Sequence, residues 1–146
     1  DLVVTPVGGG GLLSGTAVAV KGVRPSARVV GAEPAAADDA QRSFRTGQLQ
    51  PSLHPATIAD GLRTSLGKNT FAVVRAHVAD IATATEEGIV RAMRLVWERM
   101  KIVIEPSAAV PLAAIMEGTI AVKGLRVGIV FSGGNVDLAR LPWAPA

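Results

Sequence analysis

The stretch VVTPVGGGGLLSG, residues 3–15, limits the local fold more than any other part of the chain. An apolar run over residues 2–7 with strand character meets four consecutive glycines, and an apolar, small-residue pattern at helical spacing restarts behind them over residues 12–21. Strand, tight turn and helix follow one another with nothing between. Four glycines carry a conformational-entropy cost that a turn alone does not require. Placed after a strand, they present successive backbone N–H groups without Cβ obstruction, and the following helix adds the positive end of its dipole. The stretch reads as an anion cradle; a glycine-rich turn that binds nothing is the plainer alternative.

The rest of the chain repeats the alternation. Strands are expected at 2–7, 28–32, 81–83 and 126–131, and helices at 12–21, 36–45, 69–78, 86–100 and 108–117. This pattern predicts an α/β fold, a three-layer arrangement with a parallel sheet flanked by helices. Helix 86–100 is the most regular: Ile89, Val90, Met93, Val96, Trp97 and Met100 share one face, and Thr85 with Glu86 and Glu87 suits its amino end. Trp97 is read as packing in the core. Residues 47–67, rich in Pro, Gly, Ser and Thr, are expected to form an ordered loop over the strand ends.

Composition removes several function classes. With 146 residues, 49% hydrophobic and 18% charged, the chain can bury one core. No apolar run approaches the ~18–20 residues of a membrane span, so no membrane partner is expected. The absence of cysteine excludes disulfides, thiolate metal sites and cysteine nucleophiles and fits a cytoplasmic setting. The net charge is +3, but the 15 Lys and Arg are scattered and only 3% of residues are aromatic, so no nucleic-acid surface is expected. His54 and His77, the two histidines, have neither metal spacing nor a Ser and Asp arrangement, and are read as surface or loop residues.

The cradle admits two chemistries. Gly11 is followed by Leu12 and Leu13 rather than Lys and Ser/Thr, which disfavours a nucleoside-triphosphate loop. Gly9, Gly11 and Ser14 approximate the dinucleotide fingerprint, with Glu33 about 20 residues on as the ribose acid, so a nicotinamide-binding fragment is a rival reading. A non-catalytic partner module is a third. A second glycine cluster, FSGGN at 131–135, follows the last strand, and two such loops on one carboxyl edge argue for a single ligand.

The motifs PVGGGGLLSG, VVGAEPAAADD, TIADGL, LVWERMKIVIEPSAA and FSGGNVDL, in this order along nearly the whole chain, resemble the C-terminal portion of the fold type II pyridoxal-phosphate enzymes of the serine racemase and serine/threonine dehydratase group. The resemblance implies pyridoxal 5'-phosphate as cofactor, with Gly8, Gly9, Gly10, Gly11 and the backbone of Leu12 on its phosphate, Gly61 and Glu105 lining it, and Ser132 on the pyridine nitrogen. A hydroxyl does not force protonation of that nitrogen, so the ring is a weaker electron sink than a pyridinium. Such electronics suit α-proton removal with loss of a β-hydroxyl, or racemisation. It further implies a structural or activating Mg²⁺ or Ca²⁺ held by Glu33, Ala37 and Asp39 through two carboxylates and one backbone carbonyl. Asn69, Lys101 and Asn135 fall where metal-bound waters or an activating nucleotide would be contacted. An amino-acid substrate and a homodimer of the full-length protein complete the expectation.

One departure stands out. The family holds the cofactor aldehyde on a lysine in a Ser-x-Lys-x-Arg-like context, and none of Lys21, Lys68, Lys101 and Lys123 sits in one. The chain also starts inside a strand-like run. Both features predict that the catalytic lysine lies in a preceding N-terminal part and that this chain alone is inactive. No regulatory extension is expected after residue 146, and a racemase or catabolic dehydratase is expected rather than a biosynthetic threonine dehydratase.

Overall fold

The computed structural model describes residues 1–143. Its order is β1 (Leu2–Pro6), α1 (Gly11–Val23), β2 (Arg28–Pro34), α2 (Asp39–Thr46), α3 (Lys68–His77), β3 (Asp80–Ala84), α4 (Glu86–Met100), α5 (Pro106–Met116) and β4 (Val127–Ile129), with single 3-10 turns at Ala35–Ala37 and Asp60–Leu62. The four strands form one sheet in the order β3-β2-β1-β4, every neighbouring pair parallel. Helices cover both faces, as expected for a three-layer α/β fold.

Side-chain alternation along the strands assigns the faces. Leu2, Val4, Val30, Ala32, Ala82 and Ala84 join α4 and α5 in one core, through Ile89, Met93, Val96, Ala109 and Ala113 among others. Val29 and Ile81 point the other way, packing with Leu13 and Ala17 of α1, Ala40 of α2 and Val74 of α3. β2 is buried from its second residue onward, as a central parallel strand must be. Gly31 permits the closest approach there: a Cβ on it would stand 2.9 Å from Leu13 Cδ2.

Several expected boundaries shift for identifiable reasons. β2 continues to Pro34 because Glu33 and Pro34 pair with Thr83 and Ala84 of β3. β4 is short, three residues instead of six. The helix expected at 36–45 begins only at Asp39, after the Ala35–Ala37 turn. α5 starts two residues earlier than expected, at Pro106, whose missing N–H costs nothing at the first helical position. α4 has the expected bounds, with Thr85 Oγ1 accepting Gly88 N–H at 3.0 Å. Trp97 packs against the core, donates from Nε1 to the Ile104 carbonyl at 2.9 Å, and meets Trp143 edge-on at 5.4 Å. His54 and His77 are exposed.

Chain order and strand order together locate the site. β1, β2 and β3 proceed outward in one direction, and β4 then returns to the free side of β1. The connections leaving the carboxyl ends of β1 and β4 therefore diverge, and a crevice opens between them, the usual ligand position of open α/β sheets.

Candidate functional site

The glycine loop leaves β1 into that crevice. Gly10 has φ 85° and ψ −2°, a left-handed conformation, and a Cβ on it would fall 2.6 Å from Leu66 Cδ2 and 2.8 Å from Thr70 Oγ1. Backbone and packing thus both demand glycine. Gly8 is nearly as confined, with Thr64 Cγ2 at 3.0 Å and the Gly61 carbonyl at 3.3 Å from its Cβ position. Gly9 and Gly11 differ: neither has a positive φ, the Cβ of Gly9 would meet nothing nearer than 4.0 Å, and that of Gly11 nothing within 4 Å. The protein's own packing requires no glycine at these two positions, and the missing side chains leave the loop open.

The loop ends on the amino terminus of α1. No side chain caps that helix and no acidic residue occupies its first turn. Orphan N–H groups and the positive dipole end face outward without an internal anion. The loop itself is anchored through Gly9, whose carbonyl accepts from Thr70 Oγ1 at 2.8 Å and from Gly67 N–H at 3.3 Å.

The opposite wall comes from α5 and the segment after β4. Glu105, half-buried, precedes Pro106 at the helix start; its N–H donates to the Gly133 carbonyl at 3.0 Å and its Oε2 accepts Asn135 N–H at 2.9 Å. A Cβ on Gly133 would stand 2.7 Å from Glu105 Oε1, so the FSGGN loop lies directly on this carboxylate. No helix follows Ser132 among the described residues. Gly8, Gly9, Gly10, Gly11, Leu12, Gly61, Glu105 and Ser132 all line one cavity of about 210 Å³, together with Pro6, Leu13, Leu62 and Ser107. None of the four lysines lines it.

Thr70 and Ser107 are the site residues that sequence reasoning did not single out. A threonine in a helix and a serine behind a proline carry no local signal; their roles arise from contacts 61 and 46 residues away in sequence. Asn69 and Lys101 are exposed and lie outside the cavity lining. Asn135 borders a neighbouring open depression of about 450 Å³ that includes Arg63 and Arg140. A larger hollow of about 590 Å³ lies at the other end of the sheet, between the starts of β1 and β4 and the last turns of α1; it is lined mainly by apolar side chains and the Asp1–Arg126 ion pair, away from both glycine loops.

A second polar feature sits beneath α2. Glu33 and Asp39 are each 1% exposed, and Ala37 is buried in the turn between them. Glu33 Oε1 accepts Gln41 N–H at 2.6 Å and Oε2 accepts Ala40 N–H at 3.2 Å, while Asp39 Oδ2 accepts Leu66 N–H at 3.2 Å. Burial raises the Glu33 carboxyl from 4.5 to about 8, against the lowering effect of the Gln41 amide and with a further rise from the charge of Asp39. Burial also raises Asp39. Glu33 is turned into the protein with both oxygens engaged by α2, which overturns the rival reading of Glu33 as an accessible ribose acid. Among the described residues no three His, Cys, Asp or Glu side chains gather as a metal cluster, so a cation here would need backbone or water oxygens.

Comparison with known proteins agrees with this geometry. A family model described as pyridoxal-phosphate dependent enzyme matches residues 1–133. The chain is 49% identical over 143 residues to the beta-hydroxyaspartate dehydratase of Paracoccus denitrificans, covering 98% of this chain and 45% of that protein. It is 48% identical over 147 residues to the serine racemase of Rattus norvegicus, covering 98% and 44%. The crystal structure of the serine racemase from Dictyostelium discoideum superimposes with a TM-score of 0.89 at 50% identity, covering 94% of this chain and 45% of that one. That of a T.th. threonine deaminase superimposes with a TM-score of 0.88 at 45% identity, covering 95% and 51%. The chain thus spans less than half the length of the two curated relatives. With five motifs in order, a glycine cradle at the sheet's switch point and a family match over most of its length, the chain belongs to the pyridoxal-phosphate dependent enzymes.

Proposed function

We propose that the full-length protein is a pyridoxal-phosphate enzyme that dehydrates and deaminates, or racemises, serine, threonine or a related 3-hydroxy amino acid. The observation that carries this is the uncapped amino end of α1, opened by Gly9 and Gly11 onto a cavity that Ser132, Glu105 and Gly61 also line. When bound, the cofactor supplies an aldehyde for the substrate amine and a ring that draws electrons from the α-carbon. This chain's share of the work is to bind and orient. The N–H groups of Gly8 to Leu12 take the phosphate, the Gly61 backbone forms part of the wall, and the Ser132 hydroxyl meets the ring nitrogen without obliging it to carry a proton. The activities for which the similar proteins are named, hydroxyaspartate dehydration, serine racemisation and threonine deamination, support this substrate class.

The lysine that tethers the aldehyde belongs, on this reading, to the preceding part of the full-length protein, since no lysine lines the cavity. Glu33, Asp39 and the Ala37 carbonyl hold Mg²⁺ or Ca²⁺. The donor chemistry fits: two buried carboxylates lie without a Lys or Arg ion pair among the described residues, and their charge wants a hard, oxygen-preferring cation. Asn69, Lys101 and Asn135 contact the metal's waters or an activating nucleotide, and the protein works as a cytoplasmic homodimer. No helix among the described residues is long and apolar enough to cross a membrane.

The test is the purified full-length protein with added pyridoxal phosphate. A visible absorption band that borohydride abolishes, with pyruvate formed from serine, 2-oxobutanoate from threonine, or interconversion of the serine enantiomers, is the expected result. Tight binding of a nicotinamide nucleotide with no such band would overturn the proposal.

A further inference from the structure

The Asp60–Leu62 turn packs against α5, with Leu62 in the core, and forms part of the cavity wall. On one side it meets the glycine loop, where a Cβ on Gly8 would stand 3.3 Å from both the Gly61 carbonyl oxygen and Leu62 Cα. On the other it meets Ser107, the second residue of α5. Ser107 is 3% exposed, and its Oγ accepts Gly61 N–H at 3.1 Å. A Cβ on Gly61 would stand 3.0 Å from that oxygen, so hydroxyl and backbone touch with no spare room. Ser107 therefore sets how far the Gly61 peptide stands from α5 on the side of the cavity. The hydroxyl's own proton has no acceptor among the described residues.

Stability gives little reason for this contact. Gly61 N–H is also accepted by Asp60 Oδ1 at 2.9 Å, so loss of the Ser107 oxygen leaves no buried donor unpaired. A hydroxyl that the fold can spare, buried at a cavity wall and holding a glycine peptide flat against it, is explained by what the cavity takes. Resting on the cofactor reading above, we propose that Ser107 is a positioning residue for pyridoxal phosphate: it holds the Gly61 peptide as the ledge against which the cofactor ring lies.

The experiment compares wild type, Ser107→Ala and Ser107→Thr in the full-length protein. Three quantities are read: the dissociation constant of pyridoxal phosphate from its visible absorbance on titration of the cofactor-free protein, the circular dichroism induced in the bound cofactor, and the Tm of the cofactor-free protein. Ser107→Ala should weaken affinity roughly three- to tenfold, the range of one net hydrogen bond, and alter the induced dichroism. Ser107→Thr should restore both to within about twofold, and the cofactor-free Tm of both variants should stay within about 2 °C of wild type, since no buried donor is orphaned. The proposal falls if Ser107→Ala binds with wild-type affinity and dichroism, if Ala and Thr are equally impaired, or if the cofactor-free Tm falls with the affinity. A wild type that binds no pyridoxal phosphate overturns the cofactor reading itself, and this inference with it.

Discussion

Removing divalent cations should make the protein's stability fall with rising pH, because of Glu33. Burial raises its carboxyl from 4.5 to about 8, so between these values the folded chain keeps a proton that the unfolded chain has released. Where the folded state binds more protons, stability falls as pH rises. The contribution is whole below about 4.5 and is lost progressively as pH climbs through about 8. At ~1.4 kcal/mol per tenfold change in proton affinity, the full span amounts to about 5 kcal/mol, a large part of a typical domain's stability. Asp39, also raised by burial, adds a change of the same sign. A cation that binds the ionised pair opposes the trend, because its ligands must lose their protons first, and at 100 times its dissociation constant it offsets ~2.7 kcal/mol of the loss. The assay is urea unfolding at several values between pH 5 and 8.5, in chelator and in excess Mg²⁺ or Ca²⁺, for wild type, Glu33→Gln and Asp39→Ala. Wild type should lose stability with pH in chelator and regain it with cation most strongly near pH 8. Glu33→Gln should lack most of the slope, and Asp39→Ala should lose the cation response. Equal pH slopes in wild type and Glu33→Gln, with no cation effect at pH 8, would refute the reasoning.

The glycine loop should separate folding from binding: Gly10→Ala incurs a left-handed backbone penalty of ~1–2 kcal/mol and a similar packing penalty against Leu66 and Thr70, visible as a lower calorimetric Tm. Gly11→Ala meets nothing, improves a helix position by up to ~1 kcal/mol, and should keep or raise Tm while weakening pyridoxal phosphate at least tenfold; unchanged cofactor affinity would show that this end of the loop does not hold the phosphate. The 146-residue chain alone, incubated with pyridoxal phosphate and reduced with borohydride, should yield no single-site pyridoxyl-lysine by mass spectrometry and no pyruvate from serine; one specific adduct with turnover would mean that Lys21, Lys68, Lys101 or Lys123 is the tethering lysine.

The sequence carried the elements further than it carried their partners. α4 was legible to the residue because its signals are local: Thr85 caps it, Glu86 and Glu87 meet its dipole, and its apolar stripe repeats at helical spacing. The extra length of β2 was not, because Glu33 and Pro34 become strand only by pairing with Thr83 and Ala84, some 50 residues away. The same limit governs the site. Two glycine clusters could be read as two strand-end loops, yet their convergence depends on β4 lying beside β1, a pairing of Leu2 with Val127 that no local pattern encodes. Glu33 shows the sharpest consequence. An acid at the end of the second strand serves a ribose or a cation equally well in sequence, and the choice turns on where the next helix starts. Because the Ala35–Ala37 turn delays α2 to Asp39, the amides of Ala40 and Gln41 arrive opposite the Glu33 oxygens and draw that carboxylate inward, beside the buried Asp39. A difference of three residues in a helix boundary thus removes Glu33 from the ligand crevice and makes it half of a buried acidic pair.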